Sequence, residues 1–430
     1  GGKGVCVADD GKLMGVAGSN ELKGTSTLFA DPSSDFSIVY DPDNDKYVCF
    51  FRDVNYGDYG NVMVGTPNGT SVTWGAKQLF DNTGVNPSQI NAIYDTTNNK
   101  IVVCYRDNSS SNGATVTVCS LSGTTLTIGT PSRGASQMDH IEYSSFCYCP
   151  DTDNYAIIFN DGAQNKGWCK IGKYSGTNSS SWPQNKVEFY GSQARGTGCF
   201  YDTTANKLCV MLHQSGDSNH GWISAVSISN DTPTFGTFQE FIASNADGSR
   251  LTGAHDPTTG KSILSYANSE MTPFRGACRT ATLSGNTFTF GTEVTYELGA
   301  TYQSVIAYGA GPSKFMISYS DGGDSYYVKT QVVSISGSDV VIDGTPTTFQ
   351  TAGNGQSTNA WLLYNSTAEN FLACYRTNDG GNKPAYYIEA IRVSNVTKGN
   401  YVGIANATVT NGQTASTALP GAVNTAVSGL

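Results

Sequence analysis

The chain repeats itself. In residues 89–107, Gln-Ile-Asn-Ala-Ile-Tyr-Asp-Thr-Thr-Asn-Asn-Lys-Ile-Val-Val-Cys-Tyr-Arg-Asp, an apolar run ends at Tyr94-Asp95 and a polar turn follows. Lys100 then opens a second apolar run that ends at Tyr105-Arg106-Asp107. Two such runs around turn residues predict a β-hairpin. The first-strand aromatic column reads Tyr40, Tyr94, Tyr148, Tyr201, His255, Tyr308 and Tyr364, and the second-strand column Phe51, Tyr105, Phe159, Leu212, Tyr266, Tyr319 and Tyr375. Both columns step by 53, 54 or 56 residues. A period of that size marks a repeat architecture whose units cannot bury their apolar faces alone.

Each unit reads as four strands. In the second, strand A is 89–94, strand B 100–106, strand C about 114–120 after Gly113, and strand D about 124–128, ending in Gly129-Thr130. Strand B (Ile101, Val102, Val103, Cys104) is apolar on both faces, so both faces are expected to be covered, as in sheets packed around an axis. The seventh unit has no D pattern after its C strand, 386–393. The missing piece stands near the other end of the chain, at Lys23-Gly24-Thr25-Ser26-Thr27-Leu28-Phe29. The expected fold is therefore an all-β, seven-bladed β-propeller over residues 23–396, closed by an N-terminal strand, because closure removes unpaired edges. Residues 1–22 read as a hairpin around Asp9-Asp10-Gly11, and together with residues 397–430 they are expected to form a small β-rich stem.

Composition narrows the function. The 430 residues carry a net charge of −10 without a Lys/Arg cluster, which argues against nucleic acid as a partner. No run approaches 18 apolar residues, so membrane insertion is not expected. The first residues lack the apolar stretch of a signal peptide, and the chain starts without Met, as a processed or partial product would. Eleven cysteines without regular spacing stand in columns held elsewhere by apolar residues, and read as buried free thiols suited to a reducing compartment. Cys147-Tyr148-Cys149 is read as packing rather than a metal site, on the view that neighbours along a strand point to opposite faces.

The tail Tyr401-Val402-Gly403-Ile404-Ala405, Gly412-Gln413, Pro420-Gly421-Ala422-Val423 and Ser428-Gly429-Leu430 resembles a C-terminal element of tail and fibre proteins of marine tailed bacteriophages, cyanophages especially. The repeat words resemble theirs too: Tyr-Asp, a polar turn, Lys, a Val-rich strand, Tyr-Arg-Asp, and a strand ending Phe-Gly-Thr. The resemblance implies a virion surface appendage, a tail or capsid fibre that binds a host-surface glycan or receptor. It also implies contact with other virion proteins through the stem and a homo-oligomer, with a trimer favoured. A glycan-depolymerising enzyme on the same scaffold and a purely structural spacer are the alternatives.

No catalytic set stands out. Only four histidines exist, glutamates are sparse, and the Ser-x-Asp-x-Gly-x-x-Trp turns of sialidase-type propellers are missing. No cofactor is expected. The Asp-rich A–B turns, such as 41–45, lack the late glutamate of a calcium loop and read as Asx turns. Binding candidates are positions that change from blade to blade. The tops of the inner strands carry Asp35, Gln89, Tyr143, Gly196, Arg250, Gln303 and Asn359, a ring of unlike polar groups fit for an asymmetric ligand. Arg52 and Arg106 at the ends of strand B stand ready to close on an acidic sugar, although an arginine repeated between blades reads at least as well as scaffolding. Among the loops, Tyr56, Tyr59 and His220 are candidates, with Trp168, Trp222, Phe274, Tyr326, Tyr327 and Tyr387 as further aromatics.

Overall fold

Alternation of side chains along a strand sends residues i and i+2 to one face and i+1 to the other, so a doubly apolar strand must lie between two cores. A computed structural model of the chain describes residues 4–7, 13–15, 20–23, 27–30, 33–54, 57–68, 71–81, 86–109, 111–133, 138–214, 219–243, 251–268, 274–348, 360–378, 384–394, 401–405 and 417–418. Every regular element among them is a β-strand.

Strand B behaves as its composition requires. In Lys46–Asp53, Tyr47, Cys49 and Phe51 join one cluster with Leu372 and Cys374, while Val48 and Phe50 join another with Ile101, Val103 and Tyr105. Seven such clusters occur among the described residues, each shared by two consecutive sheets, and the first sheet shares one with the last. Phe50 is fully buried and meets Phe80 edge-on at 5.3 Å between ring centroids. Burying one such side chain stabilises the fold by about 1.5–3 kcal/mol. The same alternation corrects the reading of Cys147 and Cys149. Two residues apart, they share a face and pack in one cluster between the third and fourth sheets, with Cys169 and Cys199. Ten described cysteines are free thiols.

The sheets are antiparallel meanders. In the second, Ser88–Asp95, Lys100–Asp107, Gly113–Ser122 and Thr125–Ile128 follow in order, and Ser132–Arg133 returns to pair with Gly113–Ser122. The outer strand expected as one piece is thus two, with the Gly129-Thr130 corner between them. At that corner Gly129 N donates to Val118 O, as Gly75, Gly236 and Gly291 do in their own repeats. One strand, Val294–Gly309, serves as outer strand of the fifth sheet and inner strand of the sixth. The inner strands lie against their successors in order, and Ala360–Asn365 of the seventh sheet contacts Ser33–Asp41 of the first.

The seventh sheet takes its outer strands from the start of the chain. Thr27–Ala30 pairs with residues 386–388, and Asn20–Lys23 pairs with residues 391–394. Residues 20–22, assigned to the stem hairpin on sequence grounds, therefore lie on this sheet. Ahead of them, Gly4–Val7 pairs with Leu13–Gly15 as a hairpin, and also with Tyr401–Ala405.

The first-strand aromatic column has a structural use. Each member reaches the A–B turn of the preceding repeat. Tyr94 Oη donates to Asp43 Oδ2 at 2.9 Å and Tyr148 Oη to Thr97 Oγ1 at 2.6 Å. Tyr201 donates to Asp151, His255 Nε2 stands 2.9 Å from Thr204 Oγ1, and Tyr364 Oη accepts from Gly311 N at 3.1 Å. Tyr308 lies against Asp256 without hydrogen-bond geometry. Tyr40 donates to Thr367 Oγ1 of the last repeat at 2.7 Å. The recurrent glycine at the head of strand C is explained by close approach: a Cβ at Gly60 would stand 2.6 Å from Phe80 Cζ, and one at Gly276 2.4 Å from Tyr296 Cε2.

Candidate functional site: the inner-strand bulges

The five described variable positions at the tops of the inner strands coincide with β-bulges. Pairing between strands A and B breaks between Ser88 and Asn91, between Glu142 and Ser145, between Arg195 and Gly198, and between Tyr302 and Val305. Asp35 lies in the equivalent break between Ser33 and Phe36. Inside these breaks Gln89, Tyr143, Gly196 and Gln303 have φ of 50°, 48°, 53° and 51°. Glycine is at ease there. A side chain in this left-handed region costs on the order of 1–2 kcal/mol, yet three of the four are bulky. Bulges re-aim side chains and gather next to binding sites.

The bulges also join neighbouring sheets. Gln89 Oε1 accepts from Ser144 N at 3.0 Å, and the Tyr143 carbonyl accepts from Thr197 Oγ1. Thr252 Oγ1 donates to the Ser304 carbonyl at 3.4 Å. Gln89 is thus partly committed to its neighbour, whereas Tyr143 stays 44% exposed. Below the bulges a cavity of about 180 Å³ is lined from six inner strands, with Asn91, Ser144, Thr197 and Thr252 as polar groups and Phe146 and Trp361 among the apolar ones.

The other candidates fall elsewhere. Arg52 Nη1 donates to Asn86 Oδ1, and its Nε lies 3.7 Å from Asp58 Oδ1, so this arginine ties loops together. Arg106 pairs across the strand with Ser88, next to Gln89, and buries its Nε without a partner. Tyr59 and His220 begin C strands, two strands out from the bulges, and His220 Nδ1 pairs with Glu240. Tyr56, Arg250 and Asn359 lie outside the described residues. The carboxylates ending strand B are loop clamps: Asp53 holds Lys77 at 2.7 Å, Asp161 holds Lys186 at 2.8 Å, and Asp321 holds Lys329 at 2.6 Å.

The A–B turns use their carboxylates on backbone. Asp41, Asp95 and Asp202 each accept two N–H groups from the next three residues at 2.8–3.0 Å, the geometry of Asx turns. Among the described residues, no group of three or more His, Cys, Asp or Glu is placed to hold a metal ion.

A second, open pocket of about 520 Å³ lies on the third sheet between the approach to strand A and the B–C turn, lined by Asp139, His140, Trp168 and Lys186 among others. Lys186 stands 4.4 Å over the Trp168 ring and pairs with Asp161. Trp168, a loop candidate on sequence grounds, therefore has one partner already. Sequence reasoning missed Tyr302, 36% exposed immediately before the Gln303 bulge. Its signal was present: the position before the bulge reads Ser88, Glu142, Arg195 and Tyr302, as variable as the bulge itself.

No protein-family model matches the sequence, and no curated protein matches it. Among solved structures the chain is similar to a protein of unknown function from Dyadobacter fermentans, at 9% identity over 87% of this chain and 99% of that one, with a TM-score of 0.52. It is similar to Kuenenia stuttgartiensis hydrazine synthase at 11% identity over 82% and 95%, with a TM-score of 0.51. A lectin from Aleuria aurantia, described as a six-bladed β-propeller with fucose recognition, aligns at 13% identity over 74% and 97%, with a TM-score of 0.47. At such identities likeness concerns fold alone.

Proposed function

We propose that the chain is a non-enzymatic binding protein built as a closed seven-bladed β-propeller and carried as a tail or capsid fibre on a virion, where the face bearing the bulges and B–C loops binds host-surface glycan. The observation that carries binding is the bulge column. Gln89, Tyr143 and Gln303 hold the left-handed conformation in a column that carries Asp35, Gly196, Arg250 and Asn359 in the other repeats, while the tyrosine column five residues later is nearly uniform. Strain kept at variable positions is what a recognition surface needs and a scaffold does not. Seven blades and closure are supported by the shared clusters and by the N-terminal strands on the seventh sheet. The virion role rests on the resemblance of the tail and repeats to phage fibre proteins, with the paired termini serving as attachment to other virion proteins and to further copies of the chain, as a trimer.

Incubating the protein with host cells and with their purified surface polysaccharide tests this reading. Saturable binding without release of oligosaccharide is expected. Release of oligosaccharide would make the protein a depolymerase, and absence of any binding by folded protein would make it a spacer. Immunogold labelling of purified virions should decorate an appendage; label confined to opened capsids would overturn the assignment to the particle surface.

A further inference from the structure

Resting on the reading of this face as glycan-binding, we infer that its principal subsite lies where the fifth and sixth sheets meet, an aromatic platform of Phe274, which leads into strand C of the fifth sheet, and Tyr302 and Tyr326 of the sixth, that takes a neutral sugar ring. The three rings form a chain: Phe274 meets Tyr302 edge-on at 6.5 Å and 87°, and Tyr302 meets Tyr326 at 5.6 Å and 40°. Phe274 and Tyr302 are each 36% exposed, and Leu298, in the pairing break opposite Arg275 and Gly276, is 67% exposed. Exposed large apolar side chains are few among the described residues, and gathered ones mark interaction sites.

The platform is built rather than incidental. Tyr302 lies against the backbone of Gly322, where a Cβ would stand 2.7 Å from its Cε2, and Gly322 N donates to Ala300 O at 2.6 Å. Thr301 N donates to Phe274 O at 2.7 Å, fixing the two ring-bearing segments together. Tyr326 holds φ of 60° and Gln303, next to Tyr302, holds 51°. An apolar ledge held by backbone hydrogen bonds suits a pyranose, which offers a C–H face to aromatic rings.

Charge selects the sugar. Acidic side chains stand on the segments next to the ledge: Asp321 is the strand partner of Thr301, Glu297 accepts from Gly299 N at 2.9 Å, and Lys329 is held by Asp321 and Asp324 at 2.6 and 3.0 Å. Arg275, next to Phe274, has a buried Nε. The whole chain carries −10. A uronic or sialic acid would meet like charge here, and a neutral hexose polymer would not.

The test measures binding of immobilised β-glucan, mannan, galactan and, as polyanion, alginate. Variants are Tyr302→Ala, Tyr302→Phe and Phe274→Ala, each checked for unchanged melting. Tyr302→Ala and Phe274→Ala are expected to weaken binding to a neutral polymer by about tenfold, and Tyr302→Phe to bind as wild type. Wild-type affinity in Tyr302→Ala, equal loss in Tyr302→Phe, or preference for alginate would overturn the platform and leave a glycan-binding face standing. Wild-type protein that binds none of these polymers nor its host's polysaccharide would overturn both. Should Tyr302→Ala melt early, Phe274→Ala and Tyr326→Ala decide the matter from the two ends of the platform: a loss in both supports it, and wild-type affinity in both overturns it.

Discussion

The Tyr40 hydroxyl donates to Thr367 Oγ1 at 2.7 Å across 327 positions of sequence. Asn365 Nδ2 adds a donor to Tyr47 Oη at 2.8 Å, and Phe36 meets Trp361 at 6.5 Å. The first and last repeats thus touch through the same groups that join consecutive ones. Tyr40→Phe should cost about 1 kcal/mol, the net worth of one hydrogen bond, and Tyr94→Phe about the same. Urea melts compare them. If Tyr94→Phe alone destabilises, the contact between first and last repeats does not form in solution.

Deleting residues 1–30 removes both strands that the N-terminus lends to the seventh sheet. The exposed edge of residues 386–394 then invites edge-to-edge pairing. Aggregation, or a drop in Tm large enough to see in a single melt, is expected. Size-exclusion chromatography of a truncated protein that did not aggregate, with wild-type melting, would refute the proposed closure.

His213 is 2% exposed and its Nε2 has no partner. Burial pushes its pKa down to about 4. The folded state therefore favours the neutral ring. Stability from this group is complete above the ordinary value near 6.5 and is lost as pH falls from there towards 4, by roughly 3 kcal/mol in total. Denaturant midpoints of wild type and His213→Gln between pH 7 and 4 should converge as the medium is acidified. Parallel curves would show that the ring is hydrated.

Gly276→Ala places a methyl group 2.4 Å from Tyr296 Cε2, inside contact distance. Tyr296 is buried and stands on the fifth sheet's outer strand itself, so relief requires that strand to move. A loss of about 1–3 kcal/mol is expected from overpacking. Gly285→Ala, with open space at its Cβ but φ of 61°, should cost only backbone strain. Thermal melts of the pair separate crowding from conformation.

Periodicity made the repeats legible because burial on both faces writes itself into strand B residue by residue, as at Val102 and Val103. The turn chemistry of Asp41 and Asp95 was legible for the same reason: a local hydrogen bond needs a particular residue type at a fixed place. The bulges were not legible. Gln89, Tyr143 and Gln303 are not left-handed formers, so nothing in their chemistry announces φ near 50°. Their variability was visible, their cause was not. The split outer strand was missed because the Gly129-Thr130 corner looks like a strand end, and Asn20–Lys23 because its partners lie some 370 positions away.

Strand B serves two cores at once, with alternate residues facing alternate neighbours. No repeat therefore owns an interior. A protease nick in a B–C loop would leave each fragment gripped on both flanks, and the cut protein should keep its hydrodynamic size. Loops on that face are free to diversify, because cohesion is lodged in the gaps between sheets rather than in the connections that cross them.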